Sequence, residues 1–256
     1  MTFLCQTYGG KVIHDFVFEL LQAETYAIWR GETFGIIFHE GTDFTDLRPR
    51  PDELTPVGSV EFVSEFLRAF HPKAEEALRP LNVPERLFQF AGRRITDIRN
   101  RDDFLRFRDE IPGFQITRPD LYRKSNDKIK SDLNGLVSYP YDATDFRSSQ
   151  VSEVIDIVSE WRAFVFRGEI RDLRNYSGDF MVFPDPERIR AMTDAYGDKA
   201  PVAYTLDVAV TAGGETVVIE CHRFFSCGLY GFSDHKLIPY MLSQEWFEMR
   251  NTRNKI

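Results

Sequence analysis

The stretch Ala203-Tyr204-Thr205-Leu206-Asp207-Val208-Ala209-Val210-Thr211-Ala212-Gly213-Gly214-Glu215-Thr216-Val217-Val218-Ile219-Glu220-Cys221-His222-Arg223 decides the fold, because two strand-like runs flank its Gly-Gly pair. A two-residue Gly-Gly loop fits a tight hairpin turn, in which both central positions take positive φ. That register sets Ala212 against Glu215, and counting inward brings Asp207 directly opposite Glu220. Period-two alternation then places Leu206, Val208, Val210, Val217, Ile219 and Cys221 on one apolar face and Asp207, Glu220 and His222 on the other. Two carboxylates facing each other across paired strands cost roughly 0.2–1 kcal/mol unless a cation sits between them. The plain alternative is an ordinary outer face with both acids in water. His222, two residues beyond Glu220 on the same face, favours a metal, and this donor set suits magnesium or manganese better than a zinc cage.

Working outward, Asp185 as N-cap, Pro186 at the first helical position and Gly197 as stop delimit a helix from Asp185 to Tyr196. Val151–Val158 and Glu160–Phe166 read as two strands, and Gly113–Thr117 as a third leading into Arg118-Pro119. Asp102–Arg108 reads as a short helix. Leu121–Asn134 is polar and lysine-bearing without periodicity, and reads as a loop ending at Gly135. Ser59 caps a helix whose stripe Val60, Phe62, Val63, Phe66, Leu67 and Phe70 is core. Phe3–Phe38, with a helical segment around Asp15–Leu21, reads as an α/β lobe, and Glu40–Glu53 as a surface connection. His14, His39, His71 and His235 read as structural, and Trp29 and Trp246 as core or interface packing.

At 256 residues, 43% of them apolar, the chain can bury the core of two packed lobes. A formal net charge of -8 argues against binding a nucleic-acid backbone, which requires a basic face. Cys5, Cys221 and Cys227 form no CxxC spacing, which points to a reducing compartment without a disulfide framework or thiolate zinc site. No basic-then-apolar leader opens the chain and no apolar run is long enough to span a bilayer, so the expectation is a cytoplasmic protein without membrane attachment.

Pro56-Val57-Gly58-Ser59-Val60-Glu61-Phe62, Arg118-Pro119, Ser159-Glu160-Trp161-Arg162-Ala163-Phe164-Val165, Tyr204-Thr205-Leu206-Asp207-Val208 and Ile219-Glu220-Cys221-His222, taken in order and spacing, resemble the ATP-grasp superfamily. Within it they resemble the mostly phage-associated clade named for two arginines and a lysine. The resemblance implies an α/β (α+β) ATP-grasp fold: an N-terminal lobe over 1–85, then an ATP-grasp domain over 86–256 whose halves meet at 150/151. It implies ATP with Mg2+ or Mn2+ as cofactors, and a ligase that joins a small-molecule or peptide carboxylate to an amine through an acylphosphate. It also implies a place in the host cytoplasm if the chain is phage-encoded.

Laid residue by residue, the resemblance puts Glu153 and Val154 at the adenine edge, Glu160 on the ribose, and Asp207 and Glu220 on metal, with His222 where the superfamily usually carries asparagine. Arg118 replaces a common phosphate-binding lysine, keeping the charge and changing the geometry. Lys128 or Lys130 supplies the lid lysine, with Lys128 preferred, and Arg162 or Arg174 the second arginine, with Arg162 preferred. Ser226 and Gly228 lie in a small-residue loop that offers amides to the acceptor carboxylate. Two other classes compete. A metal-dependent nuclease shares the Asp and Glu hairpin but has lysine where His222 stands, and a nucleotide-binding ATP-grasp protein without turnover shares most of the signal.

Overall fold

The computed structural model describes residues 1–12, 14–47, 51–78, 81–98, 102, 103, 106, 114–117 and 149–251. β1 (Thr2–Thr7) is the middle of a parallel sheet, between β2 (Gly35–Glu40) and β3 (Leu54–Val57). Phe3 to Thr7 are all buried, as befits a parallel strand covered on both faces. α1 (Asp15–Trp29) runs well beyond the segment read from sequence and buries Phe16, Val17, Leu20, Ala23 and Ala27, a stripe at helical spacing. α2 (Val60–Phe70) starts at the expected cap, where the Ser59 side chain accepts from the Phe62 amide at 3.2 Å. Its Phe62, Val63, Phe66 and Leu67 pack with Leu4, Phe44 and Trp246. Trp29, expected to pack, is 81% exposed at the end of α1.

A four-stranded antiparallel sheet, ordered β10-β9-β7-β8, carries the second half of the fold. It is built from β7 (Ile157–Phe166), β8 (Glu169–Gly178), β9 (Ala203–Thr211) and β10 (Thr216–Arg223). A smaller antiparallel sheet places β6 (Ser149–Glu153) between β4 (Ile95–Ile98) and β5 (Phe114–Thr117). The single strand expected over Val151–Val158 is therefore divided. The Glu153 amide bonds the Arg94 carbonyl at 3.1 Å while the Asp156 carbonyl receives the Ala212 amide at 2.9 Å, so residues 154–156 carry the chain from one sheet to the other. The apolar run misled because Val154, Ile157 and Val158 are exposed. Most of the helix expected over Asp102–Arg108 and all of the loop over Leu121–Asn134 lie outside the described residues.

The decisive hairpin forms, and Asp207 is the register partner of Glu220, by a route the count did not foresee. Thr216 pairs with Val210 and the Thr211 amide bonds the Glu215 carbonyl at 2.9 Å, so the loop holds residues 212–214 rather than Gly213-Gly214 alone. Only Gly214 takes positive φ, at 83°, which is the three-residue loop with a glycine bulge. This shifts the pairing by one residue, and a bulge between Val218 and Glu220 shifts it back. As a consequence Val218, rather than Val217 or Ile219, joins the cluster of Leu206, Val208 and Cys221, while Val217, also buried, lies outside it. Gly214→Ala is expected to cost about 1–2 kcal/mol and Gly213→Ala nearly nothing, because an added Cβ at 213 meets only the Thr211 hydroxyl at 3.6 Å. Paired urea melts of the two variants check the loop, and equal losses would restore the two-residue turn.

Both faces of the four-stranded sheet are covered. On one, Trp161, Ala163, Val165, Tyr204, Leu206 and Val208 pack against Leu87 and against Ile189, Met192 and Tyr196 of α3 (Pro186–Tyr196). That helix matches its sequence signals: Asp185 accepts from the Glu187 amide at 2.9 Å, and Gly197 turns out at φ 54°. On the other face, Phe164, Phe166 and Ala203 meet Phe3, Phe16 and Leu20 of the N-terminal elements and Ile238, Met241 and Leu242 of α4 (Ile238–Arg250). α4 is tied down by Glu245, which accepts from Arg223 Nη1 at 2.5 Å and the Ala203 amide at 3.2 Å. Burial lifts the Glu245 carboxyl to about 6, with Arg223 pulling the other way. Among the described residues no helix is long and apolar enough to cross a membrane.

Candidate active site

The second face of the sheet is apolar only as far as Phe164. Beyond it β7 turns Arg162 and Glu160 to the same side, because residues two apart on a strand share a face. Arg162 pairs with Asp207 on β9 and with Arg174 on β8, while Glu220 and His222 extend the row onto β10. Alternation along four adjacent strands thus brings together residues that lie up to 62 positions apart in sequence.

Asp207 and Arg162, 1% and 4% exposed, form a fork-on-fork pair, with Nε to Oδ1 and Nη2 to Oδ2 both at 2.7 Å. Burial pushes the Asp207 carboxyl up, and Arg162 opposes it. With both oxygens receiving short bonds from a guanidinium, we read it as a carboxylate. Arg162 also donates from Nη1 to the Gly228 carbonyl at 3.0 Å. Its guanidinium lies 5.6 Å from the ring of Tyr176 and 5.1 Å from that of Tyr230, within cation–π range.

Glu220 Oε1 stands 2.9 Å from His222 Nε2, both side chains partly exposed. Burial disfavours the imidazolium, but Glu220, by charge and hydrogen bond, and then Asp207 outweigh it, so the His222 pKa lies above its ordinary value. Asp207, Glu220 and His222 each offer a ligand atom, all within 4.8 Å of one another. This oxygen-rich set with one imidazole fits an octahedral divalent ion such as Mg2+ or Mn2+. The thiols do not compete: Cys221 turns to the opposite face, and burial pushes Cys227 up to about 12 and Cys221 well above its usual range, so both stay protonated.

The remaining expected residues sort as follows. Glu160 accepts from the Tyr176 hydroxyl at 2.8 Å, and burial, followed by the charges of Asp207 and Glu160, keeps that phenol protonated. Arg174 is held by Asp172 through two bonds of 2.8 and 2.9 Å. Glu153 receives the Arg94 amide at 2.8 Å, and Val154 is 61% exposed beside it. Ser226 donates to the Gly58 carbonyl at 2.7 Å, and the Leu229 amide donates to Asp15 at 2.9 Å, so the small-residue loop joins the sheet to the starts of α1 and α2. Arg118, Lys128 and Lys130 lie outside the described residues.

Tyr176 and Tyr230, stacked at 5.1 Å, were not anticipated from sequence. For the first, counting inward from the Arg167-Gly168 turn would have set Tyr176 opposite Ser159 on the far face, and only the register shifts between Phe164 and Val165 and between Glu160 and Trp161 bring it to the side of Arg162. No local signal places Tyr230. It sits at φ 48°, over a Gly228 whose added Cβ would come within 2.8 Å of the ring.

The family described as the ATP-grasp domain, family 2 of the clade named for two arginines and a lysine, matches residues 90–239. The chain belongs to this family. Among solved structures, this ATP-grasp protein resembles the ATP-grasp ligase PsnB complexed with its minimal precursor (10% identity, TM-score 0.50, 95% of this chain and 99% of that one). It likewise resembles the macrocyclase MdnC bound with precursor peptide MdnA from Microcystis aeruginosa (12% identity, TM-score 0.50, 96% and 98%). A third is N5-carboxyaminoimidazole synthetase from Staphylococcus aureus (11% identity, TM-score 0.54, 95% and 77%). At such identities the likeness is one of fold. No curated protein matches the chain.

Proposed function

We propose that this ATP-grasp protein is an ATP-dependent ligase that joins a carboxylate to an amine through an acylphosphate. The observation that carries the reading is the convergence of Asp207, Glu220 and His222 within 4.8 Å on one sheet face of a chain of this family. The names of two similar structures, a ligase with its precursor and a macrocyclase with its precursor peptide, support peptide carboxylates and amines as one substrate class.

A carboxylate is a poor electrophile, so the γ-phosphoryl group of ATP passes to it first and the amine then displaces phosphate. No protein nucleophile is needed, and what the chain supplies is positioning and charge. Glu220, His222 and Asp207 hold the metal, which when bound neutralises charge on the transferring phosphoryl group. Arg162 orients Asp207 for that task, and the Tyr176–Tyr230 stack holds Arg162. Arg118 and Lys128 or Lys130 neutralise phosphate charge. Glu160 and Glu153, with the backbone at Val154, take the nucleoside, and Ser226 and Gly228 the acceptor. A boundary at 85/86 and the passage between sheets at residues 154–156, a few residues beyond the expected 150/151, divide the working parts.

The bidentate hold of Arg162 on Asp207 favours a second reading, nucleotide binding without turnover, because Asp207 has to share its oxygens to ligate metal. Thermal-shift titration with ATP and Mg2+ separates these from no binding at all. A ligand specific for the folded state adds about 2.7 kcal/mol at one hundred times its dissociation constant. We expect that shift in the parent and a much smaller one in Asp207→Asn and Glu220→Gln. Equal shifts in all three would remove the metal assignment, and binding without ADP release across a broad set of acids and amines would select the second reading.

A further inference from the structure

Building on the proposed metal site, we infer that His222 tilts its selectivity from magnesium toward manganese. His222 Nε2 and Glu220 Oε1 share a proton at 2.9 Å, and an ion that displaces this proton fits the same spacing, since two donors each roughly 2.1 Å from one ion in adjacent octahedral positions lie roughly 3 Å apart. The chemistry then sets the preference. Magnesium demands oxygen ligands and gives up its waters reluctantly, whereas manganese, which also favours oxygen, begins the first-row series along which affinity for nitrogen rises, so one imidazole in place of an oxygen costs it less.

The third donor reinforces this. Both oxygens of Asp207 already accept from Arg162 at 2.7 Å, so its negative charge is shared with a guanidinium before any ion arrives. A hard cation relies most on the charge of its ligands, and this one is partly neutralised. A chain with asparagine at 222 would offer a third oxygen in its place and lose the bias.

The test uses the whole protein, with Mn2+ binding read from loss of the free-ion paramagnetic resonance signal and Mg2+ as competitor, with and without ADP. The parent should bind Mn2+ at least about tenfold tighter than Mg2+, and His222→Asn should shrink that ratio about tenfold by weakening Mn2+ alone. His222→Gln replaces it should the asparagine variant melt early. An unchanged ratio overturns the inference, as does Mn2+ affinity unaffected by Glu220→Gln, which would put the ion elsewhere. Absence of Mn2+ binding under all conditions also overturns it, and a thermal shift with ADP then tells whether the nucleotide reading survives that failure.

Discussion

Arg162→Met is expected to lower the unfolding free energy by about 3–5 kcal/mol, the loss typical of removing one partner from a buried ion pair. Asp207 is 1% exposed and receives both bonds of the guanidinium fork, so the variant leaves a carboxylate in a dry setting with its strongest partner gone. The Gly228 carbonyl loses its donor at the same time. Arg162→Lys should fall between, since an ammonium keeps the charge but cannot grip both oxygens in a plane. The double variant Arg162→Met/Asp207→Asn should recover a large part of the loss, because the buried charge is then absent. Urea denaturation without nucleotide measures all four proteins. If Arg162→Met unfolds at the parent's midpoint, Asp207 is not the buried, charge-dependent group described above.

Phe164→Ala should cost a similar amount, about 3–5 kcal/mol, for a different reason. Phe164 is fully buried two residues from Arg162 on the same face of β7 and packs against Phe224 and Phe232 at ring separations of 6.3 and 4.7 Å. It belongs to the core that also contains Phe3 and Phe16 of the N-terminal elements, so its removal opens a cavity where the two halves of the chain meet. Unfolding followed by tryptophan fluorescence, to which Trp29, Trp161 and Trp246 all contribute, and by far-ultraviolet dichroism should move together. If dichroism kept the parent's midpoint, the two halves would not share this core.

The legible parts were those governed by local rules. The helix after Asp185 carried cap, proline and glycine in order, and the helix after Ser59 carried a cap and an apolar stripe, so both were read to within a residue of their ends. The break at residues 154–156 was hidden because exposed valines and isoleucine imitate a buried strand. The hairpin shows the limit of counting. Asp207 does face Glu220, but two one-residue irregularities, in the loop and at Ile219, cancel, and with only one of them the acids would have missed each other.

By itself the sequence determined which residues could carry the chemistry: opposed acids with a histidine beyond them, on strands whose alternation turns them to one side, in the setting of a recognisable family. Those depend on neighbours within a few residues, where backbone periodicity dominates. Only the tertiary structure decided that Arg162 reaches Asp207, that Tyr176 and Tyr230 stack beside that pair, and that the loop at 226–231 joins the sheet to α1 and α2. Such pairings depend on strand order and on what each face is buried against, and those are set by the packing of the whole chain rather than by any stretch of it.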